Sequence, residues 1–128
     1  MKNDRHSARE RDAFCEALTR VQMVLRHVVL GKFTDEATTE QKNEMFENLR
    51  SLPAKIPEIL SLTVGEDLGL SQGNHSFALN VEFNNADDYQ VYATHPDHVA
   101  VITNNIKPIL LPGSRTAVQF MLGAHPAR

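Results

Sequence analysis

A single cysteine, Cys15, in 128 residues leaves this chain with no intrachain disulfide and no multi-cysteine metal site. Beside Phe14 it reads as a small apolar residue. Long apolar runs are lacking too, because charges interrupt every candidate membrane span. The opening Met1-Lys2-Asn3-Asp4-Arg5 leads into more charge, unlike a secretory signal, so a soluble, cytoplasmic protein is the expectation. There is no excess of basic residues: the formal charge of -3 gives no footprint for nucleic acid or an anionic membrane. A glycine-rich phosphate loop, a nucleophile elbow, a dinucleotide fingerprint and an HExxH motif are all missing. Their absence argues against nucleotide-dependent, serine-hydrolase and zinc-protease chemistry, and no cofactor is expected.

What is present suits one globular domain, with 41% hydrophobic and 23% charged residues. Residues 1–22 stand apart as a polar extension. Ser7-Ala8-Arg9-Glu10 has capping-box spacing, and Phe14, Leu18 and Val21 fall at helical intervals, which predicts a short amphipathic helix. The domain proper spans 23–122, with a polar tail at 123–128. Val24 to Phe33 is apolar and β-branched, as in a strand buried on both faces, and alternation places Leu25, His27, Val29, Gly31 and Phe33 on one side. Thr38 and Gln41 form a second capping box, ahead of a stripe of Met45, Leu49, Leu52 and Ile56 that Pro53 and Pro57 close. Ile59 to Asp67 and His75 to Phe83 alternate as antiparallel neighbours. Asn85 caps a helix through Tyr92, Pro96 opens another that carries Val99, Ile102, Ile106, Ile109 and Leu110, and Thr116 to Leu122 is the last strand.

The order β-α-β-β-α-β is that of the ferredoxin-like α+β fold, a four-stranded antiparallel sheet with helices on one face. The first and last strands offer no polar side for the opposite face, which predicts a homodimer with sheets packed together.

Chemistry concentrates in Tyr92-Ala93-Thr94-His95-Pro96-Asp97-His98. His98 near a helix N-terminus would stay neutral through the helix dipole and could act as a base, and Tyr92 could donate its phenolic hydrogen to a developing oxyanion. His27 and Gly31 share a strand face, where the missing side chain of Gly31 would leave room for a ligand; close packing is the other reading of that glycine. His95 reads as a helix cap or backbone partner. His95 and His98 at i and i+3 also have the spacing of paired metal ligands, but no third ligand is evident, so no metal is expected.

Arg26-His27-Val28-Val29-Leu30, Pro57 through Gly65 and His95-Pro96-Asp97-His98 together resemble the stress-responsive A/B barrel domain family, Dabb, from about Met23 to Leu122. The resemblance implies a homodimer in which two four-stranded sheets close into a dimeric α+β barrel. It also implies small-molecule binding with activity unassigned. One branch, similar to olivetolic acid cyclase, carries out a cofactor-free aldol condensation of a polyketide thioester. There, residues matching Tyr92 and His98 carry the chemistry and the one matching His27 lines the pocket. That branch has a further pocket histidine on its third strand, where this chain places Phe77. Three readings follow: a small-molecule-binding homodimer; a cyclase or lyase using His98 and Tyr92, with His27, Gly31, Phe77, Tyr89 and His95 around the substrate; and a non-catalytic assembly module whose pocket Phe77 and Tyr89 close.

Overall fold

β1, Val24–Gly31, has a paired neighbour on each edge, and the computed structural model, which describes residues 23–123, is arranged around it. The helix expected within 1–22 and the tail from 124 lie outside the described residues. β2 is Ser61–Glu66, β3 is Phe77–Phe83 and β4 is Thr116–Leu122. All pairings are antiparallel, in the order β2-β3-β1-β4. Between strands lie α1 (Thr39–Arg50), α2 (Leu52–Lys55), α3 (Ala86–Thr94) and α4 (Pro96–Val101), with a π-helical turn over Ile102–Ile106. None of the described helices is long and apolar enough to cross a membrane.

The helices form where the sequence supplies their ends. Thr38 and Gln41 make the reciprocal capping box of α1: the Gln41 amide donates to Thr38 Oγ1 at 3.1 Å, and the Thr38 amide to Gln41 Oε1 at 2.9 Å. Met45 and Leu49 of α1, with Leu52 and Ile56, are fully buried against Leu79, Val81 and Phe83 of β3 and Leu25 and Val29 of β1. Proline in the first turn of α2 starts a new short helix without loss of an intrahelical bond. The helix expected to run from Pro96 through Leu110 instead widens after Val101, where the Lys107 amide donates to the Ile102 carbonyl five residues back at 2.9 Å. Pro108 has no N–H to continue the ladder. β1 stops short of Phe33 because the chain leaves β4 there and pairs with the segment after the π turn, through a Phe33–Leu110 bridge.

Register assigns the faces. Leu25, His27, Val29 and Gly31 oppose Phe83, Val81, Leu79 and Phe77 on the helix side, and the same face of β4 carries Met121, Gln119 and Ala117. The other face is split. Toward β2 it is polar: Glu82 meets Arg26 at 3.5 Å and accepts from Ser61 Oγ at 2.7 Å. Toward β4 it is mostly apolar: Val24 opposes Leu122, Val28 opposes Val118 and Phe120 lies across from Arg26, with Val118, Phe120 and Leu122 exposed.

Gly31 does not open a cavity. A Cβ there would stand 2.7 Å from the Phe77 ring and 2.8 Å from Leu110, so the space is already filled by close packing. Gly31→Ala should therefore destabilise by about 1–3 kcal/mol through overpacking, and Met45→Ala by about 2–5 kcal/mol through a cavity in the core. Denaturant titration of both variants checks this; a Gly31→Ala protein as stable as the parent would show that Phe77 yields freely.

Candidate functional site

Between the helix side of the sheet and α3, α4 and the π turn lies a cavity of ≈330 Å³. His27 reaches it from β1, Phe77 and Leu79 from β3, Tyr89 and Tyr92 from α3, His98 from α4, and Ile102 and Ile106 from the π turn. Five of the seven residues singled out from the sequence thus share its wall: His27, Phe77, Tyr89, Tyr92 and His98. Phe77 and Tyr89 line the hollow without closing it, which corrects the expectation of a pocket filled by those two rings.

Gly31 and His95 are not in that lining. His95 is the N-cap of α4, and its Nδ1 accepts from the Asp97 amide at 3.1 Å. With His95 capping and His98 in the cavity wall, the shared metal-binding face does not form. Among the described residues no three His, Cys, Asp or Glu side chains are grouped to hold a metal ion.

His98 is held at two points. Its ring stacks on Tyr92, centroids 3.9 Å apart and planes 23° from parallel. Its Nδ1 lies 3.0 Å from the Tyr92 carbonyl oxygen, and since a carbonyl only accepts, Nδ1 carries the hydrogen. Neutral His98 therefore keeps a lone pair on Nε2, the arrangement a general base needs. Burial disfavours its imidazolium and lowers its pKa, opposed by hydrogen bonds to the Ala93 and Tyr92 carbonyls and helped by the charge of Arg115. Desolvation is the largest cause.

His27, 3% exposed, has its pKa lowered to about 4 by burial first and then by Arg115 and His98. The Gln119 side-chain amide lies 2.9 Å from its Nδ1 and donates to it, so the proton of neutral His27 sits on Nε2. The ring is 5.0 Å from Tyr89 and 6.1 Å edge-on from Tyr92. Tyr92 is fully buried, and its hydroxyl has no hydrogen-bond partner among the described residues. Burial raises its pKa, with a further push from Tyr89, so the phenol remains a donor at every physiological pH.

Three contributors escaped the reading of the sequence. Gln119 had a signal, a polar residue on the helix-facing alternation of an apolar strand. Lys107 and Arg115, in the cavity lining, had none, since each sits in a connecting segment whose path depends on the fold. A further hollow of ≈370 Å³, lined in part by Gly65, Asp67, Asn74 and Ala78, is shallower and holds only His75 among the described imidazoles.

Comparison with known proteins places this geometry. The chain is 29% identical over 87 residues to a stress-response A/B barrel domain-containing protein of Arabidopsis thaliana, a match covering 67% of this chain and 33% of that protein. It therefore spans about a third of the length of that relative. It is 30% identical over 79 residues to olivetolic acid cyclase of Cannabis sativa, covering 60% of this chain and 78% of the cyclase. Among solved structures, a dimeric ferredoxin-like protein of unknown function from Thermobifida fusca superposes with a TM-score of 0.70 at 39% identity, covering 78% of this chain and 92% of that one. A dimeric protein of unknown function and ferredoxin-like fold from Bacteroides fragilis gives 0.66 at 35%, covering 76% and 94%. The stress responsive A/B barrel domain family itself matches residues 25–122, nearly the whole of the described chain, and the protein belongs to that family.

Proposed function

We propose that this protein works as a homodimer in which each protomer holds a small, mostly apolar molecule in the cavity lined by His27, Tyr92 and His98. One observation carries the reading: a cavity of ≈330 Å³ whose mostly apolar wall brings together the polar rings of His27, Tyr89, Tyr92 and His98 from three separate elements. A few polar groups converging on an apolar hollow are what a small-molecule site needs to fix a ligand's orientation. The dimer is supported by the uncovered apolar half of the sheet, where Val118 is 54% and Phe120 43% exposed, and by the dimeric relatives of 39% and 35% identity. Burying the exposed half of each such side chain against a second copy is worth roughly 1 kcal/mol.

A cofactor-free lyase or cyclase is the second reading, and the His98 tautomer favours it. Nε2 of His98 would take a hydrogen from a carbon next to a carbonyl. The electron pair would move to the carbonyl oxygen, where the Tyr92 hydroxyl would donate to the enolate, and the enolate would then attack a second carbonyl of the same molecule. Phe77 presents neither donor nor acceptor where the cyclase branch has a histidine, so the substrate class stays open and the binding reading comes first.

Tyr92→Phe and His98→Gln, assayed against β-polyketo thioesters, should each lower turnover by about 10²–10⁴-fold if the second reading holds; full activity in both would remove these groups from catalysis. Sedimentation velocity at micromolar concentration should give a dimer, and Phe120→Asp should give monomers; a monomeric parent would sink the proposed assembly. The lowered pKa of His27 also fixes the sign of an acid effect. Between about pH 6.5 and 4 the unfolded chain binds a proton at this position that the folded protein refuses, so stability falls as pH drops through that window. Melting curves should show this decline, reduced in His27→Gln; an identical decline in the variant would assign it to other groups, His98 included.

A further inference from the structure

The cavity has a polarity that its apolar walls conceal. The chain as a whole is net negative, yet the described residues lining this hollow include Lys107 and Arg115 and no carboxylate. Both cations are exposed, whereas Tyr92 is fully buried and His27 and His98 nearly so, which puts the positive charge at the rim and the neutral polar groups at the floor. Among the described residues neither Lys107 nor Arg115 has an ion-pair partner. Neutral imidazoles offer hydrogen bonds but no countercharge, so a charge on a ligand must be met at the rim.

Resting on the small-molecule reading above, we infer that the natural ligand is a carboxylate on an apolar acyl or aromatic body, its anionic end held by Arg115 and its apolar end directed toward Tyr92 and His98. A guanidinium suits this role because its planar fork matches a carboxylate, with Lys107 adding a second, less directional charge. Arg115 acts into the cavity and not only outward: its charge lowers the pKa of His27, Tyr92 and His98 alike. A volume of ≈330 Å³ lies at the small end of ligand sites, which limits the body to a short chain or a single ring.

The test compares octanoate with octanamide, which share an apolar chain and differ in charge. Calorimetry gives affinity, and the imidazole and Tyr92 resonances of the full-length protein report where the ligand sits. Octanoate should bind about tenfold to hundredfold more tightly than octanamide at low salt, the margin of a hydrogen bond to a charged group. Arg115→Gln should erase most of that margin, and Arg115→Lys should keep part of it. The exposed position of Arg115 spares the fold, and an unchanged melting temperature confirms that. Equal affinity for acid and amide, with Tyr92 and His98 still perturbed, would overturn the anionic ligand and leave the small-molecule site standing. An undiminished preference in Arg115→Gln would overturn the assignment of Arg115. Absence of any perturbation by either probe at millimolar concentration would overturn both this inference and the binding reading beneath it.

Discussion

The hydrogen bond from His98 Nδ1 to the carbonyl of Tyr92 is where backbone geometry becomes chemistry. In an unbroken helix the amide of residue 96 would donate to that carbonyl. Residue 96 is a proline and has no hydrogen to give. α3 ends, and the Tyr92 oxygen is left to the His95 amide at 3.2 Å and the His98 ring at 3.0 Å. One substitution of the backbone ladder therefore ends a helix, begins the next and selects the imidazole tautomer whose free nitrogen can accept a proton. Any ordinary residue at 96 would offer a competing donor.

Around that bond the site is tuned chiefly by exclusion of water. Burial is the largest influence on His27, Tyr92 and His98, and each group responds by remaining uncharged. The aromatic shell does the excluding: Phe83 stands 5.1 Å from Tyr92 and 5.8 Å from Tyr89, behind the rings that face the cavity. The outcome is a floor of neutral donors and acceptors under a cationic rim. Such an environment offers hydrogen bonds at depth and confines positive charge to the mouth.

Local signals in the chain were enough for much of this. The Thr38–Gln41 box, the alternation of β1 and β3, and Asn85 and Pro96 at helix starts depend on residues a few positions apart, and each forms as read. Gathering His27, Tyr92 and His98 on one cavity wall also followed from the family pattern. What could not be read depends on distant partners. Whether Gly31 made a hole or a contact was decided by Phe77 and Leu110, which come from other elements. The largest part of the His98 shift comes from depth of burial, which a sequence does not display. Gln119 became a partner of His27 only through a register that joins residues 92 positions apart.

That register has a bearing on how the protein is made. His27 leaves the ribosome early, but its ring acquires a hydrogen-bond partner only when β4 docks along β1. The other edge of β1 must wait for β3, so the central strand is completed by the last-synthesised part of the domain. Assembly dominated by such remote pairings is slow. Competence of the site and completion of the fold are thus a single event, and partly synthesised chains hold every aromatic of the pocket while lacking the amide that orients its first imidazole.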